Sequence, residues 1–128
     1  MSSIITSGVK VIVESFYQED YSNPFSGEYM FGYRVTIENH NSYSVRLLRR
    51  HWHIFDSSGA YKEVDGEGVI GVQPVIPPDE YYQYMSGCNL QTEMGRMEGY
   101  YILENLNNLQ QFKAAIPAFT LIAPFKHN

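Results

Sequence analysis

A short run of glycines offers the most obvious chemistry in this sequence. Residues 66–71 read GEGVIG, a G-x-G-x-x-G pattern typical of loops that bind the pyrophosphate of a dinucleotide. Such a loop leads directly into a helix, whose first backbone amides bind the phosphates. Here three prolines follow instead, at positions 74, 77 and 78, and they forbid that helix. The context favours a structural turn, and binding of pyrophosphate or a nucleotide polyphosphate remains the alternative for Gly66, Gly68 and Gly71.

Two histidines two residues apart are the feature most typical of a metal site. His51 and His53 lie on a predicted strand, so both imidazoles point to the same face. A metal site needs a third ligand, and no spacing in the sequence selects one; the candidates are His40, Asp56 and Glu63. The alternative is a polar strand face with exposed histidines. We therefore predict no metal and no cofactor, and retain the pair as weak candidate ligands.

A basic cluster adjoins these histidines. Arg49 and Arg50, with Arg46 before them, stand out in a chain of net charge −5. They would repel a cation, and they could clamp a phosphate or an acidic partner. Pairing with the acidic residues of the next strand is the more favoured interpretation; these are Glu63, Asp65 and Glu67.

The sequence carries no recognisable catalytic constellation. Cys88 is the one cysteine, and a catalytic thiol needs a neighbouring base that the sequence does not locate. A G-x-S-x-G nucleophile motif is absent as well. We predict that the protein is not an enzyme and that Cys88 is a structural thiol.

Composition limits the partners. The chain has 128 residues and a pI near 5.2, which argues against nucleic acid as the main partner. The first residues lack a secretory signal, and no apolar run approaches the roughly 20 residues of a membrane helix. We expect a cytoplasmic protein that does not insert into membranes.

Period-2 alternation dominates the chain and predicts an all-β fold. Aromatic residues make up 15% of the sequence, including 11 tyrosines, and these favour pleated surfaces. Strands are predicted from Val9 to about Tyr17, over 31–38, over 43–55 and at 61–64. Later strands are predicted at YYQYMS, RMEGYYILE, QQFKAAIP and AFTLIA, with a turn at Asn107 and Asn108. We expect one domain over residues 1–128.

One strand shows a change of face. In the segment 43–55 the apolar residues occupy odd positions up to Leu47 and even positions from Leu48 onward. A side chain changes face when one residue is inserted into a strand, so we predict a bulge at Leu47–Leu48 or a strand that changes sheets.

Several segments together resemble the ApaG family. They are LLRRHWHIFDSSG, EVDGEGVIGVQPVIPPDEYYQYMSG, GRMEGYY and IPAFTLIAP, in this order, and the match extends from about Gly8 to Pro124. The resemblance implies a β-sandwich of the immunoglobulin-like or fibronectin type III-like class. It also implies a genetic link to cobalt resistance and magnesium efflux, and it supplies no catalytic residues.

We therefore predict a non-enzymatic binding module that acts through a protein partner. The candidate surface combines the glycine loop with its sequence neighbours: Gly66, Gly68, Gly71, Gln73, Arg49, Arg50 and Trp52. On this prediction, Arg50→Glu abolishes partner binding and leaves stability intact. A sensor of a divalent metal or a nucleotide polyphosphate is the alternative function, and a homodimer formed through edge strands is a further expectation.

Overall fold

The computed structural model describes residues 1–124 as two antiparallel sheets connected by turns. The strands are β1 (Ser2–Thr6), β2 (Val9–Tyr17), β3 (Tyr29–Asn39), β4 (Val45–Asp56), β5 (Tyr61–Glu67), β6 (Val75–Ile76), β7 (Tyr81–Leu90), β8 (Met94–Asn105) and β9 (Gln111–Ile122). Two short 3₁₀ turns, Glu19–Tyr21 and Pro24–Ser26, lie in the predicted loop between β2 and β3.

The sheets pack face to face as a β-sandwich, which confirms the predicted fold class. One sheet has the order β1-β2-β3-β7, and the other has the order β5-β4-β8-β9 with β6 paired to β4. Alternate residues of the long strands β2, β3, β4, β7, β8 and β9 point inward and form the core, as period-2 patterning requires. In the first sheet these include Val9, Val11 and Val13 on β2 and Phe31, Val35 and Ile37 on β3.

The predicted bulge is present in β4. Its register against β8 shifts between Leu47 and Arg49, which leaves Leu48 as the extra residue. Leu47 is buried before the shift, and Trp52 and Ile54 are buried after it. The insertion therefore keeps both halves of β4 packed on the core and turns the odd-numbered residues beyond Leu48 outward.

Four elements differ from the sequence-based prediction. The short strands β1 and β6 were not predicted. The segments QQFKAAIP and AFTLIA form one strand, β9, because Pro117 lies on an edge strand, where a missing amide is tolerated. Strand β5 continues through Gly66 to Glu67, beyond the predicted end at residue 64. In residues 1–124 no helix has the length and apolar character needed to cross a membrane.

Candidate functional site

The β4–β5 hairpin sets the register that assembles the histidine cluster. The turn after β4 is closed by a backbone hydrogen bond from Asp56 N to Ala60 O, at 2.9 Å. Pairing then runs back from Phe55 opposite Tyr61, so that His53 stands opposite Glu63. Directly opposite residues on one face have their side chains close together. The hairpin therefore brings a carboxylate to the histidine pair.

We define the histidine cluster as His51, His53 and Glu63. One carboxylate oxygen of Glu63, Oε1, lies 3.4 Å from His51 Nε2 and also 3.4 Å from His53 Nδ1. All three potential ligand atoms lie within 4.8 Å of one another. The structure thus selects Glu63 from the three candidate third ligands and gives an arrangement in which one cation could contact all three side chains.

Aromatic rings hold the two imidazoles in place. The His51 ring stacks on Tyr100 of β8 with centroids 4.9 Å apart, and the two imidazoles meet edge to face at 4.7 Å. The Tyr61 hydroxyl is hydrogen-bonded to His53 Nδ1. Hydrogen bonds from Tyr61 and His51 hold the pKa of Glu63 below its ordinary value, so the cluster favours the ionised carboxylate.

The other two candidate ligands lie elsewhere. His40 Nε2 is 2.9 Å from Glu38 Oε1 at the end of β3. The Asp56 carboxylate accepts hydrogen bonds from Gln91 N and Thr92 Oγ1, both at 2.6 Å, and so fixes the β4–β5 turn to the β7–β8 turn. Neither residue belongs to the group of potential ligands around the histidine pair.

The glycine loop is a tight hairpin. The predicted loop begins at Gly66 and ends at Gln73, and we use the name for residues 66–75, up to the first residue of β6. Val69 and Val72 exchange both backbone hydrogen bonds, at 2.8 and 3.0 Å, around a two-residue turn formed by Ile70 and Gly71. Both turn residues have positive φ, as a type I′ turn requires. Val69 is fully buried and anchors the hairpin in the core.

Each glycine of the motif has a different local environment. At Gly68 (φ 59°) an added Cβ would lie 2.0 Å from the backbone oxygen of Val72, so only glycine fits. At Gly66 an added Cβ would lie 3.0 Å from the Arg50 guanidinium, which packs across this position. At Gly71 an added Cβ would meet open space, so the turn requires only the positive φ of this residue, 76°. Backbone geometry therefore accounts for Gly68 and Gly71, and the packing of Arg50 accounts for Gly66.

The loop's polar groups are largely paired within the protein. Arg50 Nη1 donates to the backbone oxygens of Glu67 and Gly68, each at 3.0 Å. The Leu48 carbonyl, freed from the ladder by the bulge, accepts from Gly68 N at 2.8 Å and from Gln73 Nε2 at 3.0 Å. These residues therefore join the loop to β4.

Two further predicted site residues have structural surroundings. Trp52 is 2% exposed and packs edge to face against Tyr33, with ring centroids 5.3 Å apart, so it belongs to the core and is not available to a surface partner. Arg49 pairs with Asp65 at 3.2 Å, the internal pairing that the sequence favoured. Arg50 also holds the loop, so Arg50→Glu would disturb stability as well as surface charge.

The outer side of the loop is apolar, which the sequence-based candidate surface missed. Ile70 is 61% exposed, and Val72 and Val75 are also exposed. The signal was available in the sequence, since two β-branched residues flank Gly71 in a segment that is otherwise a turn. We call these three side chains the loop tip.

The cavity beside the glycine loop is too small for a small-molecule ligand. The cavity between the loop and β4 measures about 70 Å³, far below the roughly 300 Å³ of small-molecule sites. A larger concavity of about 510 Å³ lies elsewhere, between the β2–β3 loop and Pro124. Cys88 is buried, and burial raises the pKa of its thiol, in keeping with a structural role.

The chain matches known proteins over nearly its whole length. The ApaG domain matches residues 19–105. Protein ApaG of Sinorhizobium fredii is 44% identical over 97% of this chain and 95% of its own, and Protein ApaG of Brucella canis is 47% identical over the same shares. A crystal structure described as an ApaA protein from Bordetella pertussis superposes with a TM-score of 0.88 at 36% identity, covering 92% of this chain and 95% of that one. The chain therefore belongs to the ApaG domain family.

Proposed function

We propose that the protein is a non-enzymatic binding module of the cytoplasm that presents the loop tip to a protein partner. The observation that carries this proposal is the conformation of Ile70. This β-branched residue has a φ of 46° and leaves 61% of its surface in solvent. A positive φ costs a residue with a Cβ about 1–2 kcal/mol, and such strain is concentrated at functional sites.

The rest of the loop supports a binding role because it makes the tip rigid. Val69 is buried beneath the turn, and Arg50 holds two carbonyls at its base. A rigid apolar tip loses little conformational entropy when a partner covers it. Exposed apolar residues on a loop that is fixed by a β-scaffold are a common basis for recognition.

The proposal extends to the link with cobalt resistance and magnesium efflux that the family resemblance implies. A module that recruits a regulator of a cation transporter would produce this link through a protein contact. In a strain that lacks the gene, we expect wild type to restore cobalt resistance and Ile70→Asn to fail.

The binding test uses Ile70→Asn. Asparagine adopts positive φ more readily than isoleucine and removes the apolar tip. We expect the free energy of unfolding to stay level or to rise by about 1 kcal/mol, while the partner is lost from pull-downs of the native lysate. A stabilised variant that loses its partner separates binding from folding.

Leu109→Asn provides the matched control. Leu109 also has a positive φ, 61°, and is 66% exposed, but it lies in the β8–β9 turn. We expect this variant to change stability in the same direction and to retain the partner. Equal recovery of the partner by wild type and Ile70→Asn would contradict a role for the loop tip.

We further propose that the protein forms a homodimer through the free edge of β7. This ten-residue strand carries no charged side chain, and Tyr81 and Met85 are exposed on it. Charges and prolines normally protect an edge from pairing. Sedimentation analysis of wild type and Met85→Lys tests this: a dimer that persists unchanged in the variant would exclude this edge.

A further inference from the structure

The histidine cluster has ligand spacing suited to a single transition-metal ion. Two ligand atoms bound to a tetrahedral ion at about 2.1 Å lie about 3.4 Å from each other. The Glu63 oxygen is 3.4 Å from each histidine nitrogen, so two of the three ligand-to-ligand distances already have this value. The third lies within 4.8 Å, and small rotations of the imidazoles would shorten it.

The ligand atoms are placed by features that do not depend on a metal. His51 and His53 share one face of β4, and the hairpin register places Glu63 opposite His53. Stacking on Tyr100 limits rotation of the His51 ring. The histidine side chains are 19% and 30% exposed, which shields the nitrogens and leaves an entrance from solvent. Such preorganisation lowers the cost of binding an ion.

The neighbouring cations do not oppose a metal here. Arg49 is paired with Asp65, and Arg50 points to the opposite face of β4 toward the glycine loop. Lys113 of β9 lies over the Tyr100 ring, and the sheet order places β8 between β9 and the histidines. The repulsion expected from the arginines in the sequence is therefore removed by their orientation and pairing.

We propose that His51, His53 and Glu63 form a binding site for a divalent first-row transition-metal ion of the zinc type. The ligands are His51 Nε2, His53 Nδ1 and a Glu63 carboxylate oxygen, and water completes the coordination. Two imidazoles select Zn²⁺ or Ni²⁺ over Mg²⁺, which prefers oxygen ligands. This site is independent of the protein-binding role of the loop tip.

Tyr61 competes with the metal for one ligand. Its hydroxyl is hydrogen-bonded to His53 Nδ1, so an ion that binds this nitrogen must displace it. Loss of one hydrogen bond to a polar group is worth about a 2- to 10-fold change in a dissociation constant. We therefore expect Tyr61→Phe to bind the ion about 2- to 10-fold more tightly than wild type.

The test is calorimetric titration of the tag-free full chain with Zn²⁺, and with Mg²⁺ as the hard-ion comparison. We expect saturable 1:1 binding of Zn²⁺ that is weakened at least about tenfold in His51→Gln, His53→Gln and Glu63→Gln. The remaining histidines serve as controls: His40→Gln and His127→Gln should bind as wild type does. Thermal unfolding in a chelator establishes that each variant is folded.

Two results would overturn the site. The first is wild-type Zn²⁺ binding that is absent or no tighter than in Glu63→Gln and His51→Gln. The second is a loss of affinity in His40→Gln or His127→Gln that equals the loss in His53→Gln. Weaker binding by Tyr61→Phe would overturn the assignment of His53 Nδ1 as a ligand.

Discussion

The glycine loop follows β5 and is hydrogen-bonded to β4, and the histidine cluster lies on β4 and β5, but the two regions use their polar groups in opposite ways. In the loop, Arg50, Gln73 and the Leu48 carbonyl satisfy backbone groups and hold a turn. In the cluster, potential ligand atoms of three side chains lie within 4.8 Å of one another, while their backbones remain in an ordinary ladder. The loop has demanding backbone geometry with paired polar groups, and the cluster has regular backbone geometry with converging polar side chains.

This contrast separates two kinds of constraint. A glycine motif specifies where the backbone bends. In this chain the bend after β5 lets Gly68 N donate a hydrogen bond to the Leu48 carbonyl at the bulge in β4. A ligand set depends on where side-chain atoms meet, and regular strands achieve this by register alone. Substitutions at the loop should therefore change stability, whereas substitutions at the cluster should change ion binding.

Gly68→Ala should give the largest effect on stability. The new methyl group would lie 2.0 Å from the Val72 oxygen, and the residue would keep a positive φ. We expect a loss of about 2–4 kcal/mol in the free energy of unfolding, measured by denaturant titration. Gly71→Ala, whose methyl group meets open space, should lose only about 1–2 kcal/mol. Equal losses would show that close approach to Val72 is unimportant.

Arg50→Gln should have the next largest effect. It removes two hydrogen bonds to loop carbonyls, which we expect to cost about 1–2 kcal/mol in the same titration. Arg49→Gln removes only an exposed ion pair with Asp65 and should cost at most about 0.5 kcal/mol. A larger loss of unfolding free energy in Arg49→Gln than in Arg50→Gln would contradict the structural role assigned to Arg50.

Asp56 lies on the same hairpin as Glu63, but its carboxylate holds a turn, whereas that of Glu63 lies beside two histidines. Burial raises its pKa, but hydrogen bonds from Thr92, Gln91 and Ser58 outweigh this and hold the pKa below its ordinary value. Since the folded state binds the proton more weakly, this stabilisation is complete above about pH 4 and is lost as the pH falls through the lower folded-state pKa.

Asp56→Asn should therefore lower the free energy of unfolding by about 1 kcal/mol at pH 7. The difference from wild type should narrow as the solution is acidified below about pH 4. Thermal unfolding over a pH series measures both effects. A constant difference at every pH would show that the charge of Asp56 does not contribute. At pH 7, Asp56→Asn should bind zinc with the same affinity as wild type.

Substitutions in the histidine cluster should have the smallest effect on stability. In the presence of a chelator, His51→Gln and His53→Gln should stay within about 0.5 kcal/mol of wild type, because both residues lie on the outer sheet face. With zinc at 100 times its dissociation constant for wild type, wild type should gain about 2.7 kcal/mol, and each variant, bound at least about tenfold more weakly, at most about 1.4 kcal/mol. An equal gain in both variants would place the stabilising ion elsewhere.

Much of the fold could be predicted from alternation. The inward positions of β2 and β3 are regular, and the change of parity at Leu47–Leu48 identified the bulge. The strand β1 was missed because its inner and outer faces are nearly alike: Ile4 and Ile5 are both exposed. The continuity of β9 across Pro117 was missed because it depends on that strand's position at a sheet edge.

The site was less predictable, since it depends on register and on side-chain direction. Glu63 could have been selected by counting outward from the DSSGA turn, which pairs residue 53 with residue 63. Trp52 shares the even parity of the apolar residues after Leu48, so its burial could have been predicted, although the candidate surface included it. The inward orientation of Arg50 depends on the loop that folds over it.

The single inserted residue in β4 also defines a length rule for this hairpin. Without Leu48, only one half of β4 could keep its present register with β8, either Val45–Leu47 or Trp52–Ile54. If the first half kept its partners, the tryptophan would turn to solvent and both imidazoles would enter the core. A one-residue deletion in this strand would thus exchange the interior and exterior chemistry of the hairpin, whereas a deletion in an exposed turn would only shorten a connection.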